Sequence, residues 1–146
     1  MIVYLDTSTL ARAYLPDEMD RASAVALLVS TDHELVTGGW TRVELASALA
    51  RARKGGRHKG PDIERRLLGD LGPDGIVTVL GWHQDLLEDR SIELVRRFKI
   101  RSLDALHLAY AELAALPVVP DGEKLGFATH DRDQGAAARK LGFVLV

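Results

Sequence analysis

Short apolar runs alternate along the chain with longer stretches whose hydrophobic positions recur at helical spacing. Residues 2–5 form a run of β-forming side chains ended by Asp6-Thr7-Ser8, the composition of a strand entering a helix cap. Residues 18–30 put Ala22, Val25, Ala26 and Val29 at the i, i+3, i+4, i+7 positions of a buried helix face. Residues 34–37 read as a second strand before Gly38-Gly39, and residues 40–53 as a helix. Gly55, Gly56, Gly60 and Pro61 mark a loop, and residues 62–71 a short helix. Residues 76–80 are a third strand, and Leu87, Ser91, Leu94, Val95 and Phe98 carry the next helical stripe. Ser102 is predicted to cap a helix with Leu103, Leu106, Tyr110 and Leu113 on one side. A strand at 125–129, a helix at 134–141 and a strand at 143–146 complete the pattern.

Strands separated by helices predict a parallel sheet covered on both faces, a three-layer α/β/α sandwich with a central, mainly parallel sheet of about five strands. A length of 146 residues, 47% of them hydrophobic and 27% charged, is that of one globular domain spanning 1–146 and excludes a disordered chain. There is no internal repeat and no linker that would divide it. The first apolar run stops at Asp6 with no basic region before it, so no signal peptide is expected; no run is long enough for a membrane span. The absence of cysteine excludes a disulfide scaffold, a thiolate zinc site and a Cys nucleophile, and fits a reducing, cytoplasmic setting.

Ligands of open α/β sheets sit outside the carboxyl ends of the strands, so the side chains expected there matter most. Asp6 directly follows the first strand, and Asp131 follows the strand at 125–129. Asp104 lies in the first turn of the helix after Ser102, and Glu44 one turn into the helix at 40–53. Each has a structural explanation. Asp6 and Asp131 suit N-caps, Thr41-x-x-Glu44 has the form of a capping box, and Asp104 suits a helix dipole. Their joint placement at one sheet edge points further. Carboxylates gathered without basic partners raise one another's pKa, and a hard divalent cation resolves that conflict. Oxygen ligands without Cys or a convergent His point to Mg²⁺ or Mn²⁺, which could activate water and neutralise a phosphodiester's charge.

Leu5-Asp6-Thr7-Ser8, Glu44 in Thr-Arg-Val-Glu-Leu, Ser102-Leu-Asp104-Ala-Leu-His-Leu-Ala and Thr129-His-Asp131-Arg resemble, in order and spacing, the four motifs of PIN-domain ribonucleases. Size and wording look most like the VapC toxins of toxin–antitoxin pairs. The resemblance implies a Mg²⁺- or Mn²⁺-dependent endoribonuclease that leaves 5′-phosphate and 3′-hydroxyl ends. Asp6 and Asp104 would hold metal most directly, and Glu44 and Asp131 would do so directly or through water. Thr129 takes a supporting role, with Asp133 a weaker candidate. It also implies a homodimer, and an antitoxin whose terminal segment covers the acidic cleft. The segment 117–124 is longer than the family's usual connection. His107 and His130 read as packed, hydrogen-bonded residues rather than proton shuttles.

The formal charge of −2 hides a segregation: 45–61 contains no acidic residue but holds Arg51, Arg53, Lys54, Arg57 and Lys59. Such a stretch can contact RNA phosphates, although a solvated helix end explains it equally. A phosphoacceptor receiver domain is an alternative of similar length, but only Asp6 occupies its first acidic site and Lys140 lies late in a helix. A noncatalytic interaction module of the same fold is a third reading.

Overall fold

In a computed structural model, which describes residues 1–56 and 62–146, strand β1 (Ile2–Leu5) runs through the middle of the sheet with all four side chains buried. Alternation along it sends Ile2 and Tyr4 to one face and Val3 and Leu5 to the other, where they join two separate hydrophobic clusters. A strand covered on both faces has no solvent side, so it reads as a continuous apolar run.

Helices α1 (Thr7–Tyr14) and α2 (Arg21–Val29) follow β1 and precede β2 (Glu34–Gly38). Helices α3 (Trp40–Lys54) and α4 (Asp62–Asp70) lead to β3 (Val77–Leu80). Helices α5 (Gln84–Phe98) and α6 (Ser102–Tyr110), a π-helical extension at Ala111–Ala115 and a 3-10 turn at Leu116–Val118 then lead to β4 (Gly126–Ala128). Helix α7 (Arg132–Lys140) and β5 (Val144–Leu145) close the chain. The five strands are parallel in the order β3-β2-β1-β4-β5. This is the expected α/β sandwich. Its order is not the 2-1-3-4-5 of receiver-type sheets, which argues against that alternative.

One cluster packs Tyr4, Val36 and Phe127 of the sheet against Leu87 and Leu94 of α5, Leu108 of α6 and Ala138 of α7. The other packs Val3, Leu5, Leu35 and Val77 against Leu10 of α1, Leu28 of α2, Leu45 and Leu49 of α3, and Leu67 of α4. Tyr4, Phe127 and Phe143 stack in sequence across the first cluster. Among the described residues no helix is long and apolar enough to cross a membrane.

Three local expectations change. Helix α2 buries Ala24 and Leu28, while Val29 is 64% exposed and Ala22 and Ala26 are also exposed. Helix α6 buries the expected Tyr110, and Leu106 packs against the core with Leu113 of the π-helical extension, but the helix also buries Ala105, Leu108 and Ala109, and Leu103 of the expected stripe is 44% exposed. Both segments are apolar nearly all round, so spacing alone does not select the inward face. Ser102 is the first helical residue of α6; the cap position belongs to Arg101, which makes no side-chain cap bond.

Candidate active site

The strand order reverses between β1 and β4, since β1 leads leftward to β2 and β4 leads rightward to β5. Such a switch point opens a crevice at the strands' carboxyl ends, because the connections leave in opposite directions. A cleft of about 480 Å³ lies at this edge, lined by Asp6, Glu44, Asp104 and Asp131 together with Thr7, Ser8, Arg101 and His107. The four carboxylates come from four different parts of the chain.

Asp6 is 4% exposed and caps α1, its Oδ1 accepting from the Thr9 amide at 2.8 Å. The Ser8 hydroxyl lies 2.9 and 2.8 Å from its two oxygens, and Thr129 Oγ1 lies 2.8 Å from Oδ2. Thr129 is also 2.6 Å from Gln134 Oε1 and accepts from the Asp131 amide at 3.0 Å. Its single proton serves Asp6 or Gln134, not both at once. Asp131 caps α7 through Oδ1, which accepts from the Asp133 and Gln134 amides, leaving Oδ2 to face the cleft. Capping and cleft-lining are thus compatible uses of one carboxylate.

Glu44 is not in a capping box. Thr41 is buried and its hydroxyl lies 2.7 Å from the Thr37 hydroxyl, while the cap position of α3 is Gly39. The Glu44 carboxylate turns instead into the cleft, where Oε2 lies 2.8 Å from Thr7 Oγ1 and 2.8 Å from His107 Nε2. His107 is 4% exposed and its Nδ1 lies 3.0 Å from the Tyr4 hydroxyl, which accepts from the Gly38 amide. With the proton on Nε2 every group in this chain is satisfied: Tyr4 donates to Nδ1, and Nε2–H and Thr7 donate to Glu44. Burial pushes the Glu44 carboxyl up, but the hydrogen bonds from His107 and Thr7 outweigh it and hold the pKa below its ordinary value. His107 is therefore packed and hydrogen-bonded, as expected, and it touches a cleft carboxylate. Burial, with the neighbouring Asp131, raises the Asp104 pKa despite the opposing effect of Arg101.

Arg101 corrects the premise that the carboxylates lack a basic partner. Its Nε donates to Asp104 Oδ2 at 2.8 Å and its Nη2 to Asp131 Oδ2 at 2.7 Å. The spacing from Arg101 to Asp104 is i, i+3 at a helix start, and that spacing was the available signal. Gln134 was also missed: it is fully buried, and its Nε2 donates to the Asp104 carbonyl at 3.2 Å, tying α7 to α6 beneath the cleft.

Other expected residues stand apart. Asp133 is exposed and does not line the cleft, while His130, expected to be packed, is instead exposed because it lies in the turn between β4 and α7. Arg51, Arg53 and Lys54 occupy the last turn of α3, with Arg51 about 10 Å along the helix from Glu44. They do not line the cleft, and Arg51 donates to Ser47. Arg57 and Lys59 lie outside the described residues. The segment 117–124 is largely exposed and contributes nothing to the cleft lining.

A hard divalent cation fits the donor set, which is made of carboxylate and hydroxyl oxygens with the His107 Nε2 already engaged. Among the described residues no three His, Asp or Glu side chains form a ready cage. Mg²⁺ does not demand one, since it commonly binds through one or two carboxylates plus waters and substrate phosphates.

Curated protein sequences give no significant match to the chain. Among solved structures, VapC20 of Mycobacterium tuberculosis, described as a sarcin–ricin loop cleaving toxin, superposes with a TM-score of 0.68 at 21% identity, covering 97% of this chain and 96% of that one. VapBC-1 of nontypeable Haemophilus influenzae gives a TM-score of 0.58 at 17% identity over 100% and 97% of the two chains. A toxin–antitoxin complex from Klebsiella pneumoniae gives 0.56 at 19% identity over 90% and 88%. These likenesses establish the shared fold. Residues 3–140 match the PIN domain model, and the chain belongs to the PIN-domain family.

Proposed function

We propose that this protein is a Mg²⁺- or Mn²⁺-dependent endoribonuclease and the toxin of a toxin–antitoxin pair. The observation that carries the reading is the convergence of Asp6, Glu44, Asp104 and Asp131 from four elements on one cleft at the switch point of a PIN-family sheet. Asp6 and Asp104 would hold the ion most directly, with Glu44 and Asp131 binding it directly or through water. The ion would supply positive charge against the phosphodiester and lower the pKa of a water. The chain's own groups fix the geometry. Thr129 and Ser8 orient Asp6, His107 and Thr7 hold Glu44 ionised and in place, and capping by Asp131 aims its second oxygen at the cleft. In-line attack on phosphorus would yield 5′-phosphate and 3′-hydroxyl ends.

The toxin reading draws on VapC20 and on the Klebsiella toxin–antitoxin complex, both similar in fold. The substrate would be an RNA loop or single-stranded segment. The partner would be an antitoxin whose basic side chain competes for the cleft carboxylates, and the toxin itself would be a homodimer. Arg51, Arg53, Lys54, Arg57 and Lys59 remain candidates for RNA contacts away from the reacting bond.

Mapping cut ends in total RNA treated with the wild type and with Asp6→Asn and Asp104→Asn tests the reading. Cleavage in Mg²⁺ or Mn²⁺ that falls by about 10²–10³-fold in both variants is expected. Identical behaviour of all three proteins refutes the nuclease, and unchanged cleavage in excess chelator refutes the metal requirement.

A further inference from the structure

Among the groups lining the cleft, Arg101 is the arginine, and its setting is unlike that of the carboxylates it touches. Its side chain is 75% exposed, while those of Asp104 and Asp131 are only 14% and 28% exposed. Its backbone is well fixed: Lys99 ends α5 in the left-handed region at φ 59°, Ile100 is buried, and Arg101 takes the cap position of α6. An exposed cationic head therefore stands on a fixed base at the cleft rim. Its Nε and Nη2 donate to Asp104 at 2.8 and 3.4 Å, and Nη2 donates to Asp131 at 2.7 Å.

Asp104 and Asp131 are two of the four carboxylates assigned above to the divalent cation, so ion and guanidinium compete for the same oxygens. Magnitude decides the contest. With its guanidinium 75% exposed, the pair is screened by solvent on the cation's side, so Arg101 is a weak occupant. Once displaced, its fork of N–H donors remains at the rim of the same cleft, close to where a phosphodiester must lie to react. Guanidinium matches phosphate oxygens bidentately, which an ammonium cannot do.

We propose that Arg101 is a substrate-phosphate ligand, held over Asp104 and Asp131 until a divalent cation takes those carboxylates and turns the guanidinium toward the RNA backbone. The inference rests on the nuclease reading, and two measurements separate their failures. The first is calorimetric titration of Mn²⁺ alone into RNA-free wild-type, Arg101→Gln and Arg101→Lys proteins. The second is binding of a fluorescently labelled, mixed-sequence single-stranded RNA in Mn²⁺ across a salt series, with each protein carrying Glu44→Gln to slow cleavage. Removing the competitor should let Arg101→Gln bind Mn²⁺ about two- to fivefold more tightly. The same substitution should weaken RNA binding about tenfold and lower the slope of log affinity against log salt by about 1, while Arg101→Lys restores the slope.

Unchanged or weaker Mn²⁺ binding by Arg101→Gln overturns the proposal, as does an unchanged salt slope or one that lysine does not restore. A wild type that neither binds Mn²⁺ nor cleaves RNA in its presence overturns the nuclease reading and this inference with it. An active wild type alongside an indifferent Arg101→Gln overturns the role of Arg101 alone.

Discussion

At the residue scale, Glu44 shows how a local pattern can be outcompeted. Thr41-x-x-Glu44 has the form of a capping box, yet Thr41 is drawn into the core beside Thr37, and Glu44 is taken by His107 and Thr7. The capping box is a local option, and a buried imidazole brought from 63 residues away is not visible in a short window. His107→Ala removes the Glu44 partner and leaves the buried Tyr4 hydroxyl without its acceptor. Its cost should be about 2–3 kcal/mol in urea unfolding, with His107→Gln recovering part of it. A cost below about 0.5 kcal/mol would contradict the network. The same contact has a pH signature. Because the folded Glu44 pKa lies below its ordinary value of 4.5, its ionisation stabilises the fold above that pH, and the contribution is lost as pH falls through the folded value. Asp104 acts in the opposite sense, since burial raises its pKa and makes its ionisation in the fold costly. Comparing wild type with Glu44→Gln cancels the Asp104 effect. The wild type should lose its advantage over the variant on acidification below 4.5. An advantage of the same size on both sides of that pH would show that Glu44 is not held ionised by its partners.

At the element scale, the strands were the most legible feature and helix faces the least. Residues 2–5 read as a strand because both faces of β1 are covered, which makes an uninterrupted apolar run. Helices α2 and α6 are legible as helices, but nearly every position in Arg21–Val29 and Ser102–Tyr110 is small or apolar, so several stripes fit equally. The stripe of α5 is legible because charged residues fill most positions between Leu87, the Leu94-Val95 pair and Phe98. The close approach of β2 to α6 lay outside any pattern. A Cβ on Gly38 would lie 2.6 Å from Cγ and Cδ2 of the Tyr110 ring, too near for any side chain without movement. This contact lets the end of β2 pass beneath α6 and deliver α3, with Glu44, to the cleft. Gly38→Ala should cost about 1–3 kcal/mol through overpacking. In a Tyr110→Ala background the same substitution should cost less, because the ring it strikes is gone. Strictly additive losses in a double-mutant cycle would show that the Tyr110 ring is not what excludes a side chain at position 38.

At the scale of the whole molecule, the candidate site exists only when the sheet does. Asp6 and Asp131 reach the cleft because β1 and β4 are parallel neighbours, Val3 pairing with Gly126 and Leu5 with Ala128. Glu44 and Asp104 arrive on helices packed against opposite faces of the sheet. The order of the four acidic positions was readable because each stands beside a strand end or a helix start. The i, i+3 spacing of Arg101 and Asp104 at a helix start was a local signal of the same kind, but the reach of Arg101 to Asp131, 30 residues away, exists only in the folded rim. Folding therefore gathers four carboxylates that the unfolded chain keeps apart, and one exposed guanidinium offsets only part of the resulting repulsion. A ligand that binds the assembled cleft and not the unfolded chain must stabilise the fold, by about 2.7 kcal/mol when its concentration is 100 times its Kd. For a domain of this size that corresponds to a rise in Tm on the order of 5–10 °C. Calorimetric melts should therefore show Mn²⁺ raising the wild-type Tm, with a much smaller rise in Asp104→Asn even before any metal-dependent reaction is considered. The metal-free melts sharpen the test. Asp104→Asn removes one of the mutually repelling charges, but it also deprives Arg101 of a partner, so its metal-free Tm should stay within a few degrees of the wild type. Equal Mn²⁺-induced shifts in the two proteins would place the bound ion elsewhere on the molecule and remove the physical basis for reading the acidic cleft as a cation site.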